Sequence, residues 1–392
     1  MSESTSVLSF ASIEDAIRVG TRGVIERLME EELTARLDRA RYARGGHGYR
    51  NGHRRRTLCT SVGTLELSVP RARIETLEGV KEYRPSLLPR NRTMSPRVIT
   101  LIGTCYLCGV STRKVRRALG MVLGGRGSRS AVSRSLKELA PEWEAWKARD
   151  LSKDGVVRLI LDGFSVRCRV GNEVLRMSVL LAMGVLADGQ KVLLAVHGMG
   201  GESKAAWKEV LEDLAGRGLE CPALCMIDGS KGLRAALEEI WPNALVQRCT
   251  VHKERNLLGY IPGGLSAELA EDYRRMIYAP GAKAALKERA RFLAKWRKKC
   301  PRVAASLEEA GAELFTFLRF PVEQWSGIRT TNAIENLNRE FRRRAKVQGA
   351  QPGSEDVCML FWALLSSGAI TLSRVDGWKT FDIPIKEVKL AA

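Results

Sequence analysis

Two spacings of apolar residues alternate along the chain. From 12 to 40 the spacing is helical: Ile13, Ile17, Val24, Ile25, Leu28 and Leu37 recur near a 3.6-residue period, and Ser12 with Asp15 makes a capping pair. Such a helix can pack on its own domain or pair with a second subunit. From Thr57 to Val69, TLCTSVGTLELSV, apolar and polar positions alternate as in a hairpin turning at Val62-Gly63. Helical spacing returns from 96 to 140. Pro96 opens a helix that ends at Gly109, Ser111 caps a second over Thr112–Leu119, and the glycine-rich turn Gly120–Gly127 leads into the basic stretch Ser130–Leu139. Helix, turn and short basic helix fit a helix-turn-helix DNA-binding unit, and a small helical bundle gives the same pattern.

From 156 the apolar runs become short and continuous. Val156–Leu161 reads as a buried strand ending on Asp162-Gly163. Arg176–Leu186 and Lys191–Val196 read as two more strands, joined by an Asp188-Gly189 turn. A helix follows over Lys204–Ala215. Ala223–Ile227 is too short for a helix and suits a buried strand, ending on Asp228. The helix Lys231–Ile240 and a short strand at Ala244–Val246 come next. Strand, acid, helix, strand is the skeleton of a parallel α/β sheet, and open sheets of this class place ligands at the C-terminal ends of their strands. Residues 253 to 325 are helical, charged and strand-free, which reads as an insertion into the α/β domain.

Charge changes this picture. The 392 residues carry a net charge of +20 and a pI near 9.9, and 45% are apolar, enough for a large core. A globular protein this basic meets a polyanion, with nucleic acid the leading candidate. Residues 36 to 57 are dense in arginine, with Arg50, Arg54, Arg55 and Arg56 at the centre and His47, Tyr49 and His53 interleaved. The glycines among them predict a flexible loop suited to tracking phosphates. No run resembles a membrane span or a secretory signal, and nine scattered cysteines without a framework point to a reducing cytosol. Cys105-x-x-Cys108 lies in an apolar helical stretch and reads as buried thiols.

Three acids stand out. Asp162 and Asp228 each end an expected strand, and Glu335 lies in a helix opened by Thr331 or Asn332. Asp228 taken alone is an ordinary turn aspartate. Glu335 taken alone is a capping-box glutamate, three residues after Asn332. Yet Asn338, Arg339, Arg342 and Arg343 share its helix face, with Arg344 beside them, and a carboxylate heading an arginine-lined face fits a metal next to a phosphate backbone. Three acids suffice for two Mg²⁺ or Mn²⁺ ions, because Mg²⁺ completes its shell with water and phosphate oxygens. Cys249-x-x-His252 has the spacing of a zinc pair but lacks two partners nearby, so a structural or DNA-positioning role is preferred.

The chain resembles the bacterial Mutator-like insertion-sequence transposases. The resemblance runs from about Glu30 to about Leu365. It rests on GYRNGHRRRTL at 49, VPRAR at 69, GVSTRKV at 109, LDG at 161, GESKAAWKEVL at 201, IDGSKGL at 227, QRCTVHKERN at 247 and TTNAIENLNREFRRR at 330. It implies a DDE enzyme with Asp162, Asp228 and Glu335 as metal-binding triad, and Cys249 with His252 as a pair characteristic of this branch. The implied fold class is α/β: an RNase H-like mixed sheet with an all-α insertion, preceded by a helical, helix-turn-helix DNA-binding region. The expected domains are 1–90, 91–150, the catalytic 151–252 with 326–380, and the insertion 253–325. The implied partners are the terminal inverted repeats of its own element, target DNA and a second copy of the chain, in the bacterial cytoplasm at the nucleoid. A relative without catalysis that only binds DNA is the alternative, and the presence of all three acids favours the enzyme.

Overall fold

The computed structural model describes residues 12–43, 45–107, 139–170, 173–348 and 353–388. Arg44, Cys108 and most of the expected helix-turn-helix stretch, 108–138, lie outside the described residues. The chain divides into two compact units, Met1–Glu138 and Leu139–Ala392.

In the first unit, helix α1 (Ile13–Leu37) begins as expected, with the Ser12 hydroxyl accepting from the Asp15 amide at 3.1 Å. Its buried stripe differs from the expected one. Met29, Leu33 and Leu37 are buried and Ile25 partly so, whereas Ile13, Ile17, Val24 and Leu28 are exposed. Strict four-residue spacing carries the buried set along one line of the helix, and that line meets the sheet. The sheet comprises β1 (Gly48–Thr60), β2 (Gly63–Thr76) and β3 (Gly79–Glu82), all antiparallel in that order. Its inner face supplies Leu58, Leu65, Leu67, Val69 and Ala72 to the core.

The basic stretch expected as a loop is therefore strand from Gly48 onward. Its glycines serve the pairing. A β-carbon at Gly48 would lie 2.1 Å from the Arg73 carbonyl oxygen, and Gly52, at φ 66°, sits where the register shifts between Arg50 and His53. Helix α2 runs over Pro96–Leu107.

The second unit is built on a five-stranded mixed sheet. Strands β4 (Val156–Val170), β5 (Glu173–Leu186) and β6 (Lys191–Met199) are antiparallel, and β7 (Leu224–Ile227) and β8 (Val246–Arg248) continue parallel to β4, giving the order β6-β5-β4-β7-β8. Asp162 does not end its strand, as expected, but lies inside β4. Pairing with β5 carries β4 on to Val170, whereas β7 pairs only with Arg158–Ile160. Asp162 thus sits where β4 outruns its parallel neighbour.

Helices α3 (Lys204–Gly216) and α4 (Lys231–Ile240) cover one face of the sheet, burying Leu159, Leu161, Trp207, Leu211, Leu233 and Leu237. Beyond β8, α5 (Thr250–Leu258), α6 (Ser266–Ile277), α7 (Ala282–Lys299) and α8 (Pro301–Ala310) form the expected strand-free helical segment. The opposite sheet face receives α9 (Asn332–Gln348) and α10 (Ser354–Ser366), where Phe341 and Phe361 stack with ring centroids 4.2 Å apart and Phe164 of β4 leans on both. No helix among the described residues is long and apolar enough to cross a membrane.

Candidate active site

Asp162 reaches the α9 face from β4 because alternate strand residues share a face: Ile160, Asp162 and Phe164 point one way, Leu161 and Gly163 the other. Asp162 is 7% exposed, and its Oδ2 accepts a 2.6 Å hydrogen bond from Asn338 Nδ2 on α9. Burial first, and then the negative charge of Asp228, push its carboxyl up to about 7. Asp228 follows the last residue of β7, and its Oδ1 accepts from the Ser230 amide at 2.8 Å in a turn that starts α4. This is the turn geometry anticipated for a lone aspartate, and it leaves Oδ2 free of any hydrogen bond within the turn.

Glu335 sits in the first turn of α9. Its carboxylate does not close a capping box onto the Asn332 amide, which bonds to Thr330 Oγ1 instead. It faces α5, with Oε1 3.5 Å from His252 Nε2 and Oε2 3.3 Å from Arg255 Nη1. The junction of β8 and α5 fixes this meeting. Cys249 Sγ accepts from the Thr331 amide at 3.4 Å, and the Thr250 amide donates to the Arg329 carbonyl at 2.9 Å, so the segment entering α9 is tied to the segment entering α5.

Asp162 and Glu335 line one cleft of about 530 Å³ together with His252, Arg255, Arg339 and Arg342. Arg342 also lies over the Phe164 ring, 5.2 Å from its centroid. Two arginines of the expected cluster turn elsewhere: Arg343 pairs with Glu340 at 2.8 Å, and Arg344, 11% exposed, donates to the Ala369 carbonyl. Arg255 was not anticipated. Its only sequence signal was its place one turn after His252, on the same face of α5.

The ligand atoms of Cys249, His252 and Glu335 lie within 4.8 Å of one another, so the fold brings Glu335 beside the Cys-x-x-His pair. No further His, Cys, Asp or Glu among the described residues completes a four-ligand set there. Asp162, Asp228 and Glu335 do not form a set of ligand atoms all within 4.8 Å of one another. The donors are hard oxygens, and Asn338 Oδ1 is a buried amide oxygen with no hydrogen-bond partner. A buried acid beside an orphaned amide oxygen is a setting that a hard divalent cation satisfies.

In the first unit, the basic residues divide into two groups. Arg50 and His53 bind Glu30 at 2.7 and 2.6 Å, and Arg56 donates to the carbonyls of Leu88, Pro89 and Arg92 at 2.8–3.2 Å. Arg54 and Arg55 are exposed, as are Arg71 and Arg73 on the paired strand.

Over residues 2–371 the chain matches the family described as Transposase, Mutator family. It is similar to the transposase for insertion sequence element ISRM5 of Rhizobium meliloti, at 34% identity over 351 residues that cover 88% of this chain and 86% of that protein. It is similar to the transposase for IS905 of Lactococcus lactis, at 29% identity over 90% of this chain and 89% of that protein. The transposase for IS256 in transposon Tn4001 of Staphylococcus aureus is 29% identical, covering 96% of this chain and 94% of that protein.

Proposed function

The chain belongs to the Mutator family of transposases, and on that premise we propose that Asp162, Asp228 and Glu335 are the DDE triad of its DNA cleavage and strand-transfer site. The observation that carries this reading is the single cleft that joins Asp162 of β4 to Glu335 of α9, walled by Arg339 and Arg342. The order β6-β5-β4-β7-β8, with three antiparallel strands followed by two parallel ones, supports an RNase H-like core.

The three carboxylates would hold two Mg²⁺ or Mn²⁺ ions. Bound there, the ions supply Lewis acidity toward the oxygens of the reacting phosphodiester. The protein sets the geometry. Asn338 orients Asp162 through Oδ2. His252 and Arg255 hold Glu335 at the cleft mouth, and Arg339 and Arg342 receive the phosphates on either side of the scissile bond. Cys249 and His252 act by locking the entry of α9 against α5.

The DNA is the ends of the chain's own element and its target, held in part by the exposed strand arginines of the first unit. Joining two ends calls for at least two copies of the chain, and the exposed side of α1 offers a pairing surface. The test is cleavage and strand transfer on labelled element ends with Mg²⁺ or Mn²⁺. Asp228→Asn should abolish both and leave DNA binding intact. Near-normal transfer by that variant would overturn the assignment.

A further inference from the structure

Glu202 lies in the turn between β6 and α3, beside the Ser203 cap, and the triad makes no use of it. Its carboxylate occupies space that a side chain after Asp162 would otherwise fill. A β-carbon at Gly163 would lie 2.6 Å from Glu202 Cδ and Oε1 and 3.0 Å from Oε2. Gly163 is not among the glycines at positive φ, so the backbone does not require glycine there. A side chain there would instead displace the flexible end of Glu202.

Neighbouring strand residues point to opposite faces, so β4 carries Asp162 toward α9 and turns Gly163 toward Glu202. A carboxylate therefore flanks each face of the strand at the point where β7 has already stopped. Asp228, one residue past the end of β7, stands at the open edge between them. Both flanking acids feel it. Burial and then the Asp228 charge raise Glu202 above the usual carboxylate range, against the pull of Arg342, as burial and Asp228 do for Asp162. Gly163 itself lines the cleft with Asp162 and Glu335, so the Glu202 carboxylate over it lies beside the candidate triad. An independent sign of a missing ligand is Asn338. It is 2% exposed, lines the cleft, and leaves Oδ1 unpartnered while its Nδ2 holds Asp162.

We propose that Glu202 is a fourth carboxylate of the cation site, holding with Asp228 the divalent ion on the Gly163 side of β4. The inference rests on the triad reading above and adds a residue to it. It gives a physical reason for the LDG and GES segments to meet: the glycine of the first admits the glutamate of the second.

The experiment counts Mn²⁺ bound to the full chain by electron paramagnetic resonance, alongside melting curves in EDTA. Wild type should bind two ions. Glu202→Gln should weaken one of them by at least roughly 10–100-fold, the loss typical even of an outer-shell partner, without a fall in melting temperature. Gly163→Ala should weaken the same ion by displacing the carboxylate. Gly163→Ala combined with Glu202→Ala should be no worse than Glu202→Ala alone, because the two changes act through one group. Wild-type Mn²⁺ binding by Glu202→Gln, while Asp162→Asn loses an ion, overturns the fourth ligand only and leaves Glu202 as a neighbour of Arg342. Wild-type binding by both variants overturns the triad reading itself. If Gly163→Ala does not fold, the Glu202→Gln titration decides alone.

Discussion

Replacing Asp162 with asparagine should stabilise the ion-free protein, and by an amount that grows with pH. The folded chain raises this carboxyl from its ordinary 3.8 to about 7, through burial first and the Asp228 charge second. A raised acid binds its proton more tightly in the folded than in the unfolded state. The resulting penalty is absent below about pH 4, develops as pH climbs toward 7, and is fully present above it. At about 1.4 kcal/mol for each tenfold change in proton affinity, the span from 3.8 to about 7 corresponds to about 4 kcal/mol at most. Asparagine is neutral throughout, and the Asn338 amide can turn its orphaned Oδ1 toward it. Melting curves of wild type and Asp162→Asn in EDTA should therefore nearly coincide near pH 4. By pH 8 they should separate by a margin on the order of 10 °C, with the variant higher. Adding Mg²⁺ should raise the wild type by more than the variant, which lacks one ion-binding carboxylate. A gap between the two proteins that does not change with pH, or a variant less stable at pH 8, would refute the electrostatic account of this aspartate.

Glu335→Gln should reduce strand transfer roughly 10²–10³-fold, the worth of several kcal/mol of metal-mediated stabilisation. It should leave the melting temperature nearly unchanged, since the ion pairs of Glu335 with His252 and Arg255 are long and partly exposed, and transfer near the wild-type rate would return Glu335 to a purely local role. DNA affinity should fall roughly 10³–10⁵-fold between about 50 and 200 mM salt if six to ten phosphates are contacted. Filter binding should show Arg54→Ala and Arg55→Ala each lowering that salt slope by about one. Arg56→Ala should instead lower stability, because three carbonyls lose their donor. Ile17→Glu with Leu28→Glu, both on the exposed side of α1, should convert an assembled protein to monomers in light scattering without unfolding it. Unchanged assembly would exclude that helix as the pairing surface.

What the sequence determined by itself was whatever depends on neighbours along the chain. The Ser12 cap, the bounds Lys231–Ile240 of α4 and the strand running into Asp228 were all legible, since capping residues, helical spacing and a short apolar run are local signals. The three acids were legible as candidates because motif spacing survives without knowledge of packing. The tertiary structure decided the rest. Asp162 is inside a strand rather than at its end because β5, far longer than β7, sets how far β4 extends. The arginine-rich segment is a strand because β2 pairs with it, and its glycines, which read as a loop in isolation, are what let the two backbones close. On α1, helical spacing allowed adjacent stripes, and only the sheet chose the one through Met29, Leu33 and Leu37. His252 and Glu335 lie far apart in sequence and meet because two segment entries are hydrogen-bonded to each other. Glu202 and Gly163 are likewise brought together only by the fold, since no pattern in the chain encodes which side chain fills the space above a glycine.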